Sequence, residues 1–130
     1  MAKPRILIAD DEEGIRESLN LILGDEYQLE FAEDGQSACS KLANNKFDLA
    51  LLDIKMPKLD GLHVIKRLKE LRVALPPILI LTAYQSVELA KEAIKLGAAD
   101  YLPKPFDREQ ILEAVRDTLR ETAAGQSQKK

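Results

Sequence analysis

Apolar residues along the chain fall into short runs separated by amphipathic segments. The runs at 49–52 and 78–81 are apolar throughout, which is typical of strands buried on both faces of a parallel sheet. Residues 5–9 form another short run with strand propensity, whereas residues 27–32 alternate apolar with polar positions, as a half-exposed edge strand does. A short fifth strand is predicted at 100–103. The pattern therefore predicts five strands.

The segments between and after these runs carry apolar residues at helical spacing. In the first of them Ile15, Leu19 and Leu23 share one face, and Gly24 suits the end of the helix. A second helix is predicted from Asp34 to about Asn44, and a third begins near Gly61. A fourth helix has Ser86 as its N-cap and stops at Gly97, and a fifth begins at Asp107, which forms a capping box with Gln110. Residues 123–130 are small and polar, so we expect a domain at 1–122 followed by a flexible tail or the start of a linker.

Strands and helices alternate about five times, without an internal sequence repeat. Right-handed crossovers turn such an alternation into one parallel sheet with helices on both faces. We therefore predict an α/β fold, a doubly wound five-stranded parallel sheet of order 2-1-3-4-5, flavodoxin-like, with five helices. In that order the first and third strands are neighbours at the switch point, where open sheets of this kind bind their ligands.

Composition narrows the possible classes of function. The chain has 130 residues, enough for one domain with a real core, and its formal net charge of −3 argues against a nucleic-acid surface. Cys39 is the single cysteine, which excludes an intrachain disulfide and a cysteine-rich metal site. Its place in a helical pattern predicts that it is a small, half-buried apolar residue. No apolar stretch approaches membrane-spanning length, and residues 1–5 lead directly into a strand, so we expect a cytoplasmic protein.

Polar side chains follow the strands at the point where each strand ends. Asp10 and Asp11 follow the first strand, Asp53 ends the third, Thr82 ends the fourth and Lys104 follows the fifth. Each of them alone could be an ordinary turn residue, because aspartate and threonine are common in turns. The carboxyl ends of parallel strands lie at one edge of the sheet, so together these residues predict a site at the switch point.

The charges of this group indicate what it binds. Two carboxylates about 4 Å apart repel by roughly 4 kcal/mol at an effective dielectric near 20, so three of them require a cation in addition to Lys104. A few hard oxygen ligands with room for water suit Mg²⁺, whereas the same acidity would repel a flavin phosphate. With Asp53 as the nucleophile, and with Lys104 and Thr82 binding oxygens, the group forms a phosphoryl-transfer site.

Several motifs carry a resemblance to a known family. They are ILIADDE at 6–12, LLDIKMP at 51–57, DG at 60–61, LTA at 81–83 and GAADYLPKPF at 97–106. Through these motifs the chain, over about residues 4–121, resembles the response-regulator receiver domains of bacterial two-component signalling.

The resemblance implies a phosphorylation site and its metal. Asp53 would accept phosphate from a phosphohistidine on a sensor histidine kinase or histidine phosphotransferase. Asp11, Asp53 and the backbone carbonyl of Lys55 would bind Mg²⁺, with Asp10 acting largely through water. The domain would then switch or relay the signal to a downstream protein target or phosphotransferase, as a monomer or as a phosphorylation-dependent dimer.

The resemblance also implies a switch. The hydroxyl of Thr82 would engage the phosphoryl group while the ring of Tyr101 turns inward. The peptide bond between Lys104 and Pro105 would be cis, which aims the ammonium at the pocket.

Other residues are predicted to tune the site or to meet partners. Lys55 and Tyr84 border the route of an attacking water, so we expect slow autodephosphorylation. Ile15 and Arg16 on the first helix are candidate docking residues; Ile15 suits a core role equally well, and Arg16 is the safer surface candidate. His63, the sole histidine, is predicted to have a surface role, since its context in the third helix is not of the histidine-kinase type and gives no reason to assign phosphate to it.

A finer resemblance rests on fewer residues. Gly14-Ile15-Arg16 together with Lys55 and Tyr84 resembles the stand-alone receiver of the Gram-positive sporulation phosphorelay, and receivers of enhancer-binding transcription activators share parts of this pattern.

The signalling interpretation predicts that the chain is not an enzyme. Two other classes of function are alternatives to it. A phosphohydrolase of the haloacid-dehalogenase type also uses an aspartyl-phosphate, but it needs a second aspartate two residues after the nucleophile, where this chain has Lys55. A binding module that has lost phosphorylation is disfavoured by the presence of Asp53, Thr82 and Lys104.

Overall fold

The strands form one parallel sheet. A computed structural model describes the backbone of residues 3–83 and 86–128, with side chains within those ranges as far as residue 121. The strands are β1 Arg5–Ala9, β2 Gln28–Ala32, β3 Leu49–Asp53, β4 Ile78–Thr82 and β5 Asp100–Pro103. Neighbouring strands are parallel throughout, in the order β2-β1-β3-β4-β5, which confirms the predicted fold class and strand order.

Helices cover both faces of the sheet. They are α1 Glu13–Leu23, α2 Gly35–Asn44, α3 Gly61–Glu70, α4 Val87–Lys95 and α5 Arg108–Gln128. Successive side chains of a strand point to opposite faces, so alternate residues of β3 and β4 enter different cores. Leu51 and Leu81 pack in the core formed with α1 and α5, whereas Leu52 and Ile80 pack in the core formed with α2, α3 and α4. This double burial explains why the central strands are apolar up to their last residue.

Three local features differ from the sequence expectations. The backbone of α5 is helical to Gln128, and so it extends through residues 123–128 of the predicted tail, where alanines favour a helix and no proline stops it. The domain boundary at residue 122 stays a prediction. Ser86 precedes α4 as predicted, but its side chain makes no capping hydrogen bond. Cys39 is buried rather than half-buried.

Among the residues that the structure describes, no helix is both long enough and apolar enough to cross a membrane.

Two glycines let the β3–α3 loop, residues 54–60, lie directly against α2 and β3. At Gly35, the first residue of α2, an added Cβ would lie 1.7 Å from the carbonyl oxygen of Leu59. The Gly35 N–H donates to the carbonyl of Pro57 at 3.3 Å. At Gly61 an added Cβ would lie 2.7 Å from the carbonyl oxygen of Asp53. Because neither position has room for a side chain, the glycines allow the loop after Asp53 to lie close to its supports.

Candidate functional site

Four carboxylates lie together at the carboxyl edge of the sheet. Asp10, Asp11 and Glu12 come from the end of β1 and Asp53 from the end of β3, and one oxygen from each lies within 4.8 Å of the others. Asp10 and Asp53 are buried, whereas Asp11 and Glu12 are exposed. Asp10 accepts the Glu12 N–H at 2.9 Å, and Asp53 accepts the Lys55 N–H at 3.3 Å. The strand ends and the turns after them thus hold the two buried carboxylates in place.

Lys104 brings its ammonium into this cluster. Its Nζ lies 2.8 Å from Asp10 Oδ2, 3.1 Å from Asp53 Oδ2 and 3.4 Å from Glu12 Oε1. The Asp10 contact is an ion pair, and Asp10 Oδ2 makes no hydrogen bond with the described residues. The peptide bond between Lys104 and Pro105 is cis, which confirms the prediction.

The pKa values report an excess of negative charge. The pKa of Asp53 rises from 3.8 to about 6, because burial disfavours the carboxylate and the charge of Asp10 adds to this, against the attraction of Lys104. Burial alone would lower the pKa of Lys104, but its close contacts and charge interactions with the carboxylates of Asp10 and Asp53 raise it overall. One ammonium therefore leaves the Asp53 carboxylate under-compensated, and a divalent cation with hard oxygen ligands fits the donor set that remains.

Thr82 and Tyr101, the predicted switch pair, lie on neighbouring strands. Thr82 is wholly buried, and its hydroxyl donates to the adjacent carbonyl of Ala83 at 3.1 Å. The hydroxyl is therefore engaged within its own connection and not with Asp53. Tyr101 lies opposite Ile80 in the β4–β5 register, and its ring packs partly buried against the core beneath α2, α3 and α4. Their switching role stays a prediction.

An open cavity of about 300 Å³ lies over Asp53. Lys104, Lys55, Ala83 and Ser86 are among the residues that line it, and Lys55 is exposed. Lys55 thus borders the cavity over Asp53, and its effect on the lifetime of the phosphoryl group stays a prediction. Tyr84, the second predicted lifetime residue, lies outside the described residues.

Two residues of this site were missed by the sequence reasoning. Glu12 pairs with Lys104, and its place beside Asp11 is the signal that could have revealed it. Ser86 lines the cavity, but a serine before a helix has the ordinary appearance of a cap, which hides any other role.

The predicted docking residues are less accessible than expected. Arg16 keeps only 15% of its side chain exposed. Its guanidinium donates to the backbone carbonyl of Asp10 at 2.7 Å and lies 3.3 Å from the carboxylate of Glu33. Arg16 is thus only partly exposed, because an acceptor on the β1–α1 connection draws its side chain inward, and its docking role stays a prediction. Ile15 is partly buried against the core beneath α1 and α5.

His63 behaves as predicted for a surface residue. Its side chain is 56% exposed, and its Nδ1 lies 2.7 Å from Asp60, the residue that caps α3.

The comparison with protein families decides the class of this site. A family model described as "Response regulator receiver domain" matches residues 6–116. The chain belongs to the response regulator receiver domain family. The receiver domain's carboxylate cluster, Lys104 and Asp53 lie within the matched residues.

Individual relatives agree with this assignment. The receiver domain is 45% identical over 120 residues to the response regulator MprA of Mycobacterium sp. (strain KMS), covering 92% of this chain and 52% of MprA. The chain thus spans about half the length of the curated relatives it matches. None of these relatives tests the finer resemblance to the sporulation receiver, which stays a prediction.

Solved structures agree as well. Full-length FixJ from B. japonicum superposes with a TM-score of 0.84 at 34% identity, covering 93% of this chain and 60% of FixJ. A CheY-like response regulator receiver domain protein from Methanospirillum hungatei JF-1 superposes with a TM-score of 0.86 at 31% identity, covering 95% of this chain and 99% of that protein.

Proposed function

We propose that this receiver domain accepts a phosphoryl group on Asp53 from a phosphohistidine of a histidine kinase or histidine phosphotransferase and then switches or relays the signal. The observation that carries the proposal is the buried Asp53 carboxylate at the switch point, 3.1 Å from the Lys104 ammonium. The domain would act as a signalling phosphoacceptor and not as an enzyme for an outside substrate. Its cytoplasmic location stays a prediction.

The proposed transfer needs little from the protein beyond position and charge. One oxygen of the Asp53 carboxylate forms a bond to phosphorus while the P–N bond to the donor imidazole breaks. The bonding pair returns to that nitrogen, which takes up a proton. Lys104 already lies beside Asp53 and would neutralise charge on the transferred oxygens.

The metal that we propose is Mg²⁺. Asp10, Asp11, Asp53 and the backbone carbonyl of Lys55 would hold it, and the clustering of the three carboxylates supports this assignment. When bound, Mg²⁺ would neutralise phosphoryl oxygens and the like charge of the cluster. Asp10 Oδ2, which lacks a hydrogen bond, suits contact through a bound water.

Partners and downstream events remain proposals. Thr82 and Tyr101 would carry the phosphorylation signal to the face of α4 and β5, which would meet a protein target, a phosphotransferase or a second copy. Ile15 and Arg16 stay candidates for donor docking. The low exposure of the Arg16 side chain and its bond to the Asp10 carbonyl favour support of the site over direct contact.

The first prediction tests the phosphoacceptor. With Mg²⁺ and acetyl phosphate, the parent should gain one phosphoryl group by intact mass, and Asp53→Ala should gain none because the nucleophile is gone. Asp25→Ala removes an exposed carboxylate away from the cavity and should label like the parent. Labelling of Asp53→Ala would overturn the assignment, and turnover of varied phosphoesters would favour the phosphohydrolase alternative instead.

The second prediction concerns the lifetime of the phosphoryl group. Hydrolysis needs a water in line with the Asp53–phosphorus bond, and the exposed Lys55 side chain borders that approach. The bulk and charge of Lys55 should displace that water from its in-line position. The rotamer entropy of the lysine, up to ~2 kcal/mol, opposes fixing its side chain there. We expect Lys55→Asn to shorten the half-life measured in Mg²⁺ after donor removal by about threefold or more. Lys66→Asn, on the exposed face of α3, is the control, and equal decay of the parent and Lys55→Asn would make Lys55 a bystander.

A further inference from the structure

Ser86 is buried without a partner in the connection between β4 and α4. Its side chain is 1% exposed, and its Oγ has no hydrogen bond among the described residues. Leaving a buried hydroxyl unpaired costs more free energy than an ordinary hydrogen bond contributes, so unpaired buried hydroxyls are uncommon in folded proteins. The unpaired Oγ of Ser86 therefore needs an explanation.

The position of Ser86 would ordinarily be explained by helix capping. A serine before a helix usually accepts an N–H of the first turn, but the structure has no such bond from Ser86. The Ser86 backbone N–H instead donates to the carbonyl of Ala83 at 2.9 Å, which closes a turn beneath the side chain. The backbone of Ser86 is thus held while its hydroxyl is left free.

The surroundings of the hydroxyl point to a ligand. Ser86 lines the same cavity as Asp53 and Lys104, and about 300 Å³ is ample space for a phosphoryl group. Thr82, the other hydroxyl of this connection, has no exposed surface and donates to Ala83. Ser86 therefore lines the cavity and has an unengaged hydroxyl, whereas the hydroxyl of Thr82 is engaged.

We propose that the Ser86 hydroxyl is a phosphoryl ligand, donating a hydrogen bond to the phosphoryl group on Asp53. The inference rests on the proposed function and adds a second hydroxyl to the one predicted at Thr82. Ser86 destabilises the unphosphorylated domain slightly, because its Oγ is unpaired, and stabilises the phosphorylated one. It therefore biases the β4–α4 connection toward the phosphorylated state.

The test compares Ser86→Ala, Ser86→Thr and Ser86→Asp with the parent in their affinity for beryllium trifluoride in Mg²⁺, followed by ¹⁹F NMR. Beryllium trifluoride bonds to an aspartate oxygen as a phosphoryl analogue. A hydrogen bond to a charged group is worth about tenfold or more in affinity, so Ser86→Ala should bind the analogue about tenfold more weakly. Ser86→Thr keeps the hydroxyl and should bind more tightly than Ser86→Ala. Ser86→Asp should be weaker than Ser86→Ala, because a carboxylate faces the anion.

Thermal unfolding without the analogue separates this role from capping. If Ser86 is a phosphoryl ligand, Ser86→Ala should melt no lower than the parent, because the lost hydroxyl has no partner. A cap predicts the reverse: Ser86→Ala melts several degrees lower, and Ser86→Asp, itself a good cap, restores both stability and analogue binding. That pattern would overturn the proposal, and so would equal analogue affinity in Ser86→Ala and the parent.

Two controls complete the design. Ser40→Ala changes an exposed serine on α2 and should alter neither measurement. The parent reports on the proposed function itself. If the parent neither binds the analogue nor labels with acetyl phosphate, the phosphoacceptor role fails; if the parent does both and Ser86→Ala matches it, only the Ser86 inference fails.

Discussion

Replacing Gly35 with alanine should destabilise the domain by about 3 kcal/mol or more, at the upper end of overpacking effects. The new Cβ would lie 1.7 Å from the backbone carbonyl oxygen of Leu59, which is not the flexible end of a side chain and cannot turn aside. Either α2 or the β3–α3 loop must therefore shift by more than an ångström to make room for the methyl group. The free energy of unfolding from urea titration measures the loss.

Gly14→Ala is the matched control. Gly14 also lies in the first turn of a helix, and an added Cβ there would meet nothing within 4 Å. Because alanine favours helices by up to ~1 kcal/mol over glycine, this variant should be as stable as the parent or slightly more stable. Equal losses from the two substitutions would mean that the contact between Gly35 and Leu59 does not restrain the loop.

The second large effect has the opposite sign: Asp53→Asn should stabilise the domain in a metal chelator at neutral pH. The Asp53 pKa is about 6 in the folded protein, against an ordinary value of 3.8. Above pH 6 the parent therefore carries an ionised carboxylate that disfavours folding by about 2 to 3 kcal/mol. Asparagine has a similar shape and removes that charge.

The pH dependence gives this prediction a signature. Between about pH 4 and 6 the folded parent binds more protons than the unfolded chain, so its stability falls as pH rises across that window. The difference between Asp53→Asn and the parent should thus be near zero at pH 4 and reach its full value above pH 6. Asp25→Asn, at an exposed site, should show no such growth. Mg²⁺ should stabilise the parent more than Asp53→Asn, and an equal response would show that Asp53 binds no ion.

The parts of the molecule that could be predicted are those specified by local pattern. Residues 78–81 are apolar because both faces of β4 are covered, and that burial leaves a plain signal in the sequence. The convergence of Asp10, Asp53 and Lys104 follows from parallel topology alone, since each ends or follows a strand of the same sheet.

The parts that could not be predicted depend on partners remote from the residue itself. Arginine on a helix is usually exposed, and the low exposure of the Arg16 side chain is decided by the Asp10 carbonyl and by Glu33 after β2. Ser86 has the same sequence context whether or not its hydroxyl bonds to the helix, and only the three-dimensional structure distinguishes a capping serine from one with a free hydroxyl.

The order of the strands has a consequence for how the protein folds during synthesis. The first 53 residues contain β2, β1 and β3, which are adjacent in the finished sheet, and they also supply all four clustered carboxylates. Lys104, which neutralises part of that charge, follows the last strand. Domains generally fold as units during synthesis. The site therefore cannot be completed until the end of the sheet has been translated, because the ammonium that relieves the repelling carboxylates follows the last strand.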